Sequence, residues 1–151
     1  MEQGIDHWLP ASELGIIPSF SSICDADYVN YKLDNLGIHN GGKSCWAAAF
    51  NNYDQFVQFS SLNPVKFTGV TTQGRGDFDQ WVKEYLVAYS LDDKTWKAVD
   101  NGTIFTANSD RDSKIPHVFT TPVMARTLRI KPVSWHNHIS MRIEAYFEDN
   151  V

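Results

Sequence analysis

The chain has 151 residues, 42% of them hydrophobic and 21% charged, a balance found in folded globular domains and not in disordered or fibrous chains. Its formal net charge is −5, and no five-residue window is dominated by Lys and Arg. Nucleic acid and anionic membrane surfaces, which are bound through clustered cations, are therefore poor partners. No apolar run approaches the roughly 18 residues that a membrane-spanning helix needs.

The start, MEQGIDHWLPASELGII, has neither the basic lead nor the long apolar centre of a signal peptide. A length of 151 residues is expected to fold as one domain over the whole chain. Residues 18–48 are rich in Ser, Asn, Asp and Gly and show no clean period; a loop region so long inside a compact domain is usually functional. Within it, Asp25, Asp27, Asp34 and Asn35 offer hard oxygen ligands. A structural calcium held by such loops, with Asp34 among its ligands, is one reading, and solvated turn-forming acids are the plainer one. Cys24 and Cys45 are too few for a disulfide scaffold or a zinc site. They are either two buried thiols or one bridge, which would contribute about 3 kcal/mol in the chain-entropy model.

From residue 50 onward the signals are β. Gln55 to Ser61 alternates, setting Phe56 and Gln58 against Val57 and Phe59, and Asn63-Pro64 is a turn signal before VKFTGVTT. Next comes TTQGRGDFDQWV, in which Arg75-Gly76-Asp77 spells the tripeptide that integrins read on adhesive proteins. WVKEYLVAYSL reads as a long strand with Tyr85, Val87 and Tyr89 on one face and Leu86 and Ala88 on the other, covered on both sides. Asn101-Gly102 is a hairpin signal, and Asn101-Gly102-Thr103 is also a glycosylation sequon if the chain is secreted. Near the end, Leu128 and Ile130 oppose Arg129 and Lys131. In ISMRIEAYFED, Met141, Ile143, Ala145 and Phe147 oppose Arg142, Glu144 and Tyr146. No stretch of twelve residues has helical period, so the expected class is an all-β sandwich or barrel.

Catalytic templates are missing: there is no GxSxG, HExxH, Gly-rich phosphate loop or CxxC. Asp77 and Asp79 resemble paired carboxylates, but a DxD step is common in polar loops. His136 and His138 would share a face on a strand, and packed or hydrogen-bonded histidines are the plainer reading.

TTQGRGDFDQWV followed by YLVAYSLDDKTW resembles the core signature of discoidin domains, also called coagulation factor 5/8 type C domains. IFTANSDRD, TTPVMARTLRIKP and SWHNHISMRIEAYF resemble further segments of that family in the same order, so the likeness runs from about Leu14 to Phe147. The chain resembles the slime-mould discoidin lectins, which also carry QGRGD followed by DQW, and the adhesive retinal protein retinoschisin. The resemblance implies a single jelly-roll-like β-barrel or sandwich of about eight main strands with loops projecting from one end. It also implies a non-catalytic binding module that acts outside the cell or at its surface. It places Cys24 and Cys45 where retinoschisin-like members bridge two loops. The loop SSICDADYVNYKLDNLGIHNGG is acidic and amide-rich, unlike the apolar spikes of membrane-binding members, so bilayer insertion is demoted.

The leading expectation is a lectin-like cell-adhesion domain for glycans or glycoproteins of the galactose and N-acetylgalactosamine class, with no cofactor required. If the loops near 25–44 and 74–80 meet, Tyr31, His39, Asn40, Arg75, Asp77, Phe78 and Asp79 supply the polar groups and aromatic face that a sugar needs. Protein-mediated adhesion through Arg-Gly-Asp or another surface is the alternative. Phosphatidylserine binding and service as a carbohydrate-binding module of a larger enzyme stand behind it. Homo-oligomerisation fits weak sugar sites that act through avidity.

Overall fold

The computed structural model describes residues 8–24, 29–33 and 44–148. These residues form nine strands: β1 (Trp8–Pro10), β2 (Ser19–Phe20), β3 (Trp46–Ala47), β4 (Val57–Gln73), β5 (Trp81–Ser90), β6 (Lys97–Ala98), β7 (Phe105–Thr106), β8 (Ile115–His136) and β9 (Ser140–Glu148). Two single 3-10 turns, Ala11–Leu14 and Val99–Gly102, are the only helical elements among the described residues. The all-β expectation holds, and no helix there is long and apolar enough to cross a membrane.

The strands follow the order β1-β9-β4-β8-β5-β6, with β2 added to β4, β3 to β9 and β7 to β5; every pairing is antiparallel. The long β4/β8 ribbon is the spine. Its register slips between Ser60 and Val65 and again between Phe67 and Gly69, and bulges of this kind bend a strand and let it pass from one sheet to the next. Only the end of β8 from Thr127 onward pairs with β5, and only β4 from Phe67 onward pairs with β9. The ribbon is thus flanked by different strands at its two ends, which makes the fold a sandwich.

The core follows the period-2 pattern. Val57 and Phe59 of β4, Tyr85 and Val87 of β5, Leu128 and Ile130 of β8, and Met141, Ile143 and Ala145 of β9 are fully buried, each worth about 1.5–3 kcal/mol for the larger side chains. Asn63-Pro64 does not end a strand as expected but sits in the slip that bends β4. Asn101-Gly102 turns the chain without making a hairpin: Asp100 and Asn101 have φ of 50° and 58°, and the flanking β6 and β7 both pair with β5. Arg142 departs from the alternation most, because its side chain is fully buried.

In this structure Cys24 and Cys45 are not bridged to each other. The N–H of Cys24 donates to the carbonyl of Ala47 at 2.8 Å, which sets Cys24 beside Ala47 and leaves Cys45 two residues along. The Cys45 thiol is buried, which pushes its pKa up to about 12, and its sulfur lies near Ser140 and the Arg75–Asp77 pair. A thiol so protonated is a poor nucleophile. Iodoacetamide at pH 8 is expected to leave Cys45 intact in the native protein and to modify both cysteines after unfolding without reductant. Failure to label either cysteine in the unfolded, unreduced chain would contradict this assignment.

Candidate functional site

The segment Gly74 to Gln80 joins β4 to β5, and the fold holds it from beneath. A Cβ on Gly74 would stand 2.6 Å from the Asp110 carbonyl and 2.9 Å from Trp81 Cβ, so only glycine lets the loop lie this close to the 109–114 turn. The guanidinium of Arg142 fastens the two together. Its Nε donates to the Gly74 carbonyl at 2.8 Å, and one terminal nitrogen donates to the Arg111 carbonyl and to the Asp112 carboxylate, both at 2.7 Å. Gln73 Nε2 donates to the Asp112 carbonyl at 2.7 Å.

The tripeptide Arg75-Gly76-Asp77 turns inward. Arg75 is 7% exposed. Its Nε donates to Asp77 Oδ1 at 2.7 Å and its NH1 to Gln80 Oε1 at 2.9 Å, while the guanidinium lies 4.4 Å from the centre of the Phe78 ring. Ser44 completes the arrangement: its hydroxyl donates to Asp77 Oδ1 at 2.7 Å and accepts from the Gly76 N–H at 2.9 Å. Burial works to raise the Asp77 pKa, but the hydrogen bonds from Arg75 and Ser44 and the Arg75 charge outweigh it, holding the carboxyl below the ordinary range. An integrin tag needs both charged ends free. Here they neutralise each other, so the tripeptide is a loop brace.

The outward side of the same loop is available to a ligand. The Phe78 ring is 56% exposed, and the exposed Asp79 carboxylate accepts from Arg111 Nε at 2.8 Å. Asn137, at φ 66° in the turn between β8 and β9, donates from Nδ2 to the Asp79 carbonyl at 2.8 Å. Trp81 stacks on His136 with centroids 4.4 Å apart and planes 13° from parallel. A shallow open cleft runs between Asp79, Trp81 and the turn Asp110 to Ser113. The result is a cleft in which the Trp81 ring stands with the exposed Asp79–Arg111 pair, while the exposed Phe78 ring lies over Arg75 on the same loop; the two carboxylates are engaged separately, Asp77 by Arg75 and Asp79 by Arg111.

Of the residues expected to meet, Arg75, Asp77, Phe78 and Asp79 share this loop, the first two as its brace and the last two as its outer face. Tyr31 does not join them. It packs near Phe20, whose ring centre is 6.1 Å away, and lines a separate groove with Ser12, Ile17 and Lys32. His39, Asn40 and Asp34 lie outside the described residues, as do Asp25, Asp27 and Asn35. Among the described residues no three His, Cys, Asp or Glu side chains converge on a metal position. His136 and His138 are not a ligand pair: His136 stacks on Trp81, and both ring nitrogens of His138 are engaged, by Asn51 at 3.1 Å and the Ala48 carbonyl at 2.7 Å. Sequence reasoning missed Ser44, Arg111, Asn137 and Arg142. The NSDR run holding Arg111 marked the family, but nothing local tied it to Asp79, 32 residues earlier.

Comparison with known proteins agrees with this architecture. Residues 20–145 match the model of the F5/8 type C domain, and the chain belongs to that family. One of the discoidin-1 polypeptides of Dictyostelium discoideum is 40% identical over 119 residues, 78% of this chain and 46% of that protein. The chain thus spans about half the length of the discoidin relatives it matches. The native structure of recombinant discoidin II from the same organism superposes with a TM-score of 0.88 at 31% identity, over 95% of this chain and 60% of that one. The family 32 carbohydrate-binding module of NanJ from C. perfringens, solved in complex with galactose, has the same fold, with a TM-score of 0.68 at 14% identity over 93% and 98% of the two chains.

The Asp77 brace has a pH signature. A carboxyl depressed in the folded state contributes stability that is fully present above its unfolded value, near 4, and that is lost as pH falls through the lower folded value. A carboxyl-carbon NMR titration is expected to place Asp77 below the ordinary aspartate value and to move toward it in Arg75→Gln. An Asp77 midpoint at or above about 5 would contradict the brace.

Proposed function

We propose that this domain is a non-catalytic, lectin-like adhesion module that binds a sugar of the galactose or N-acetylgalactosamine class at its loop end. Phe78 would cover the C–H face of the ring, and Asp79, Arg111 and Asn137 would meet its hydroxyls. The observation that carries the reading is one loop that carries an exposed Phe78 ring and, at the next residue, the Asp79–Arg111 pair in a cleft with Trp81, with Arg75 under the Phe78 ring and Arg142 fastening the loop. Groups fixed before the ligand arrives lose little freedom on binding. The discoidin relatives support a carbohydrate-binding module, and the shared fold with a galactose-bound module is consistent with the sugar class.

A shallow, open site implies weak single-site binding, and adhesion then requires several sites working together. An assembly of several copies at a cell surface or in the extracellular matrix fits that requirement. No cofactor enters the reading. Calcium is tested as a variable, because the loop carrying Asp34 is the candidate for it. Adhesion through Arg-Gly-Asp is the weaker reading, since Arg75 is buried and paired with Asp77.

Calorimetric titration with galactose and N-acetylgalactosamine, with calcium and with chelator, is the direct test. Saturation is expected near millimolar sugar, equivalent to about −4 kcal/mol. Phe78→Ala is expected to weaken it by about tenfold, or about 1.4 kcal/mol, with Arg111→Gln weaker to a similar degree. No heat at millimolar concentrations of either sugar would sink the reading.

A further inference from the structure

We propose that the outer face of the sheet made by β5, the end of β8 and the start of β4 is a second binding surface. Its ligand is an acidic polysaccharide, and Arg129 and Lys131 receive the sulfate or carboxylate groups. This goes beyond the sugar site at the loop end and does not depend on it.

Arg129 is the anchor. Its guanidinium lies between two aromatic rings, 4.0 Å from the centre of Phe56 and 4.2 Å from the centre of Trp96. Its Nε donates to Gln58 Oε1 at 2.6 Å. Three contacts therefore fix the plane of the fork, yet none engages its two terminal nitrogens. Among the described residues no protein acceptor meets those nitrogens, and neither is sealed from water. The two rings crowd the guanidinium carbon, and the N–H groups of its terminal nitrogens point along the guanidinium plane, where an acceptor is met. That is the approach of a bidentate carboxylate or sulfate.

The surroundings favour an anion. Direct cross-strand neighbours of Arg129 are Gln58 and Ala88, and Lys131 faces Leu86, all uncharged; the acids further along this face are already engaged, Glu84 accepting from Ser134 and Asp93 from Thr127. Lys131 lies two residues on along β8, on the same face and about 6.6 Å away. Two cations at this spacing along one strand can each take an anionic group from a single extended polymer. A chain with net charge −5 repels polyanions elsewhere, so the local cations set both the orientation and a strong salt dependence. A flat sheet face offers rings and cations to a repeating polymer and no enclosed pocket for peptide side chains, which selects a glycan over an acidic protein segment.

The test uses immobilised sulfated dextran, polygalacturonate, uncharged dextran and polyglutamate as probes. The chain is expected to bind sulfated dextran, polygalacturonate or both at low salt and to elute by about 0.5 M salt. Which of the two binds more tightly identifies the anion. Arg129→Lys keeps the charge but loses the fork and is expected to weaken binding by about fivefold or more. Lys131→Gln, a surface change checked for unaltered thermal unfolding, is expected to weaken it by about threefold. Neither change should alter the titration with galactose. The proposal is overturned if neither acidic polysaccharide binds, if uncharged dextran binds equally, or if Lys131→Gln binds like the wild type. Tighter binding to polyglutamate would overturn the glycan assignment in favour of an acidic protein.

Discussion

One buried cation organises the loop end. Arg142 carries a full charge with no exposed side-chain surface, a position tolerated only when the guanidinium is fully engaged. Its hydrogen bonds run to Gly74, Arg111 and Asp112, which belong to two different loops, while the residue itself belongs to β9. Neither loop can shift without leaving backbone carbonyls short of a donor, at about 1–3 kcal/mol for each such group. The strand therefore sets the height of the β4–β5 loop and of the 109–114 turn, and so the place where Asp79 meets Arg111.

The same constraint explains the Arg-Gly-Asp sequence. With Gly74 fastened below, Arg75 enters the loop from a buried position, and its charge needs a partner at once. Asp77 is two residues away and Ser44 stands across from it, and together they close the turn. Phe78 is then carried over the guanidinium and held open to solvent. Recognition chemistry and structural chemistry are thus stacked: three residues of the loop support it, and the two that follow face outward.

Much of the fold was legible because burial leaves a period-2 trace. The alternations in β8 and β9 set Leu128, Ile130 and Ile143 on the apolar face that forms the core, whereas β5, read as covered on both sides, buries Tyr85 and Val87 but leaves Leu86 and Ala88 only half-buried on its outer face. The trace failed where a second layer covers the outer face. Arg142 sits on the polar side of its strand's alternation, and only the loops packed over it make that side interior. Asn63-Pro64 read as a turn because local chemistry cannot distinguish a chain end from a bend within a paired strand. The site was half legible for a related reason. Phe78 and Asp79 lie in one conspicuous loop, whereas Arg111 and Asn137 reach it only through the packing of β8 and β9. Tyr31 was grouped with them by composition, yet the N–H of Ile143 donates to its carbonyl at 2.7 Å and keeps it in the neighbouring groove.

The proposed function requires the braced β4–β5 loop to present its outer side, and not its Arg-Gly-Asp centre, to a sugar. Amide chemical-shift mapping during titration with N-acetylgalactosamine tests this most directly. Shifts are expected to concentrate at Phe78, Asp79, Arg111 and Asn137, with the Arg129 face unmoved. Shifts centred on the Tyr31 groove, or on the face carrying Phe56 and Arg129, would contradict it.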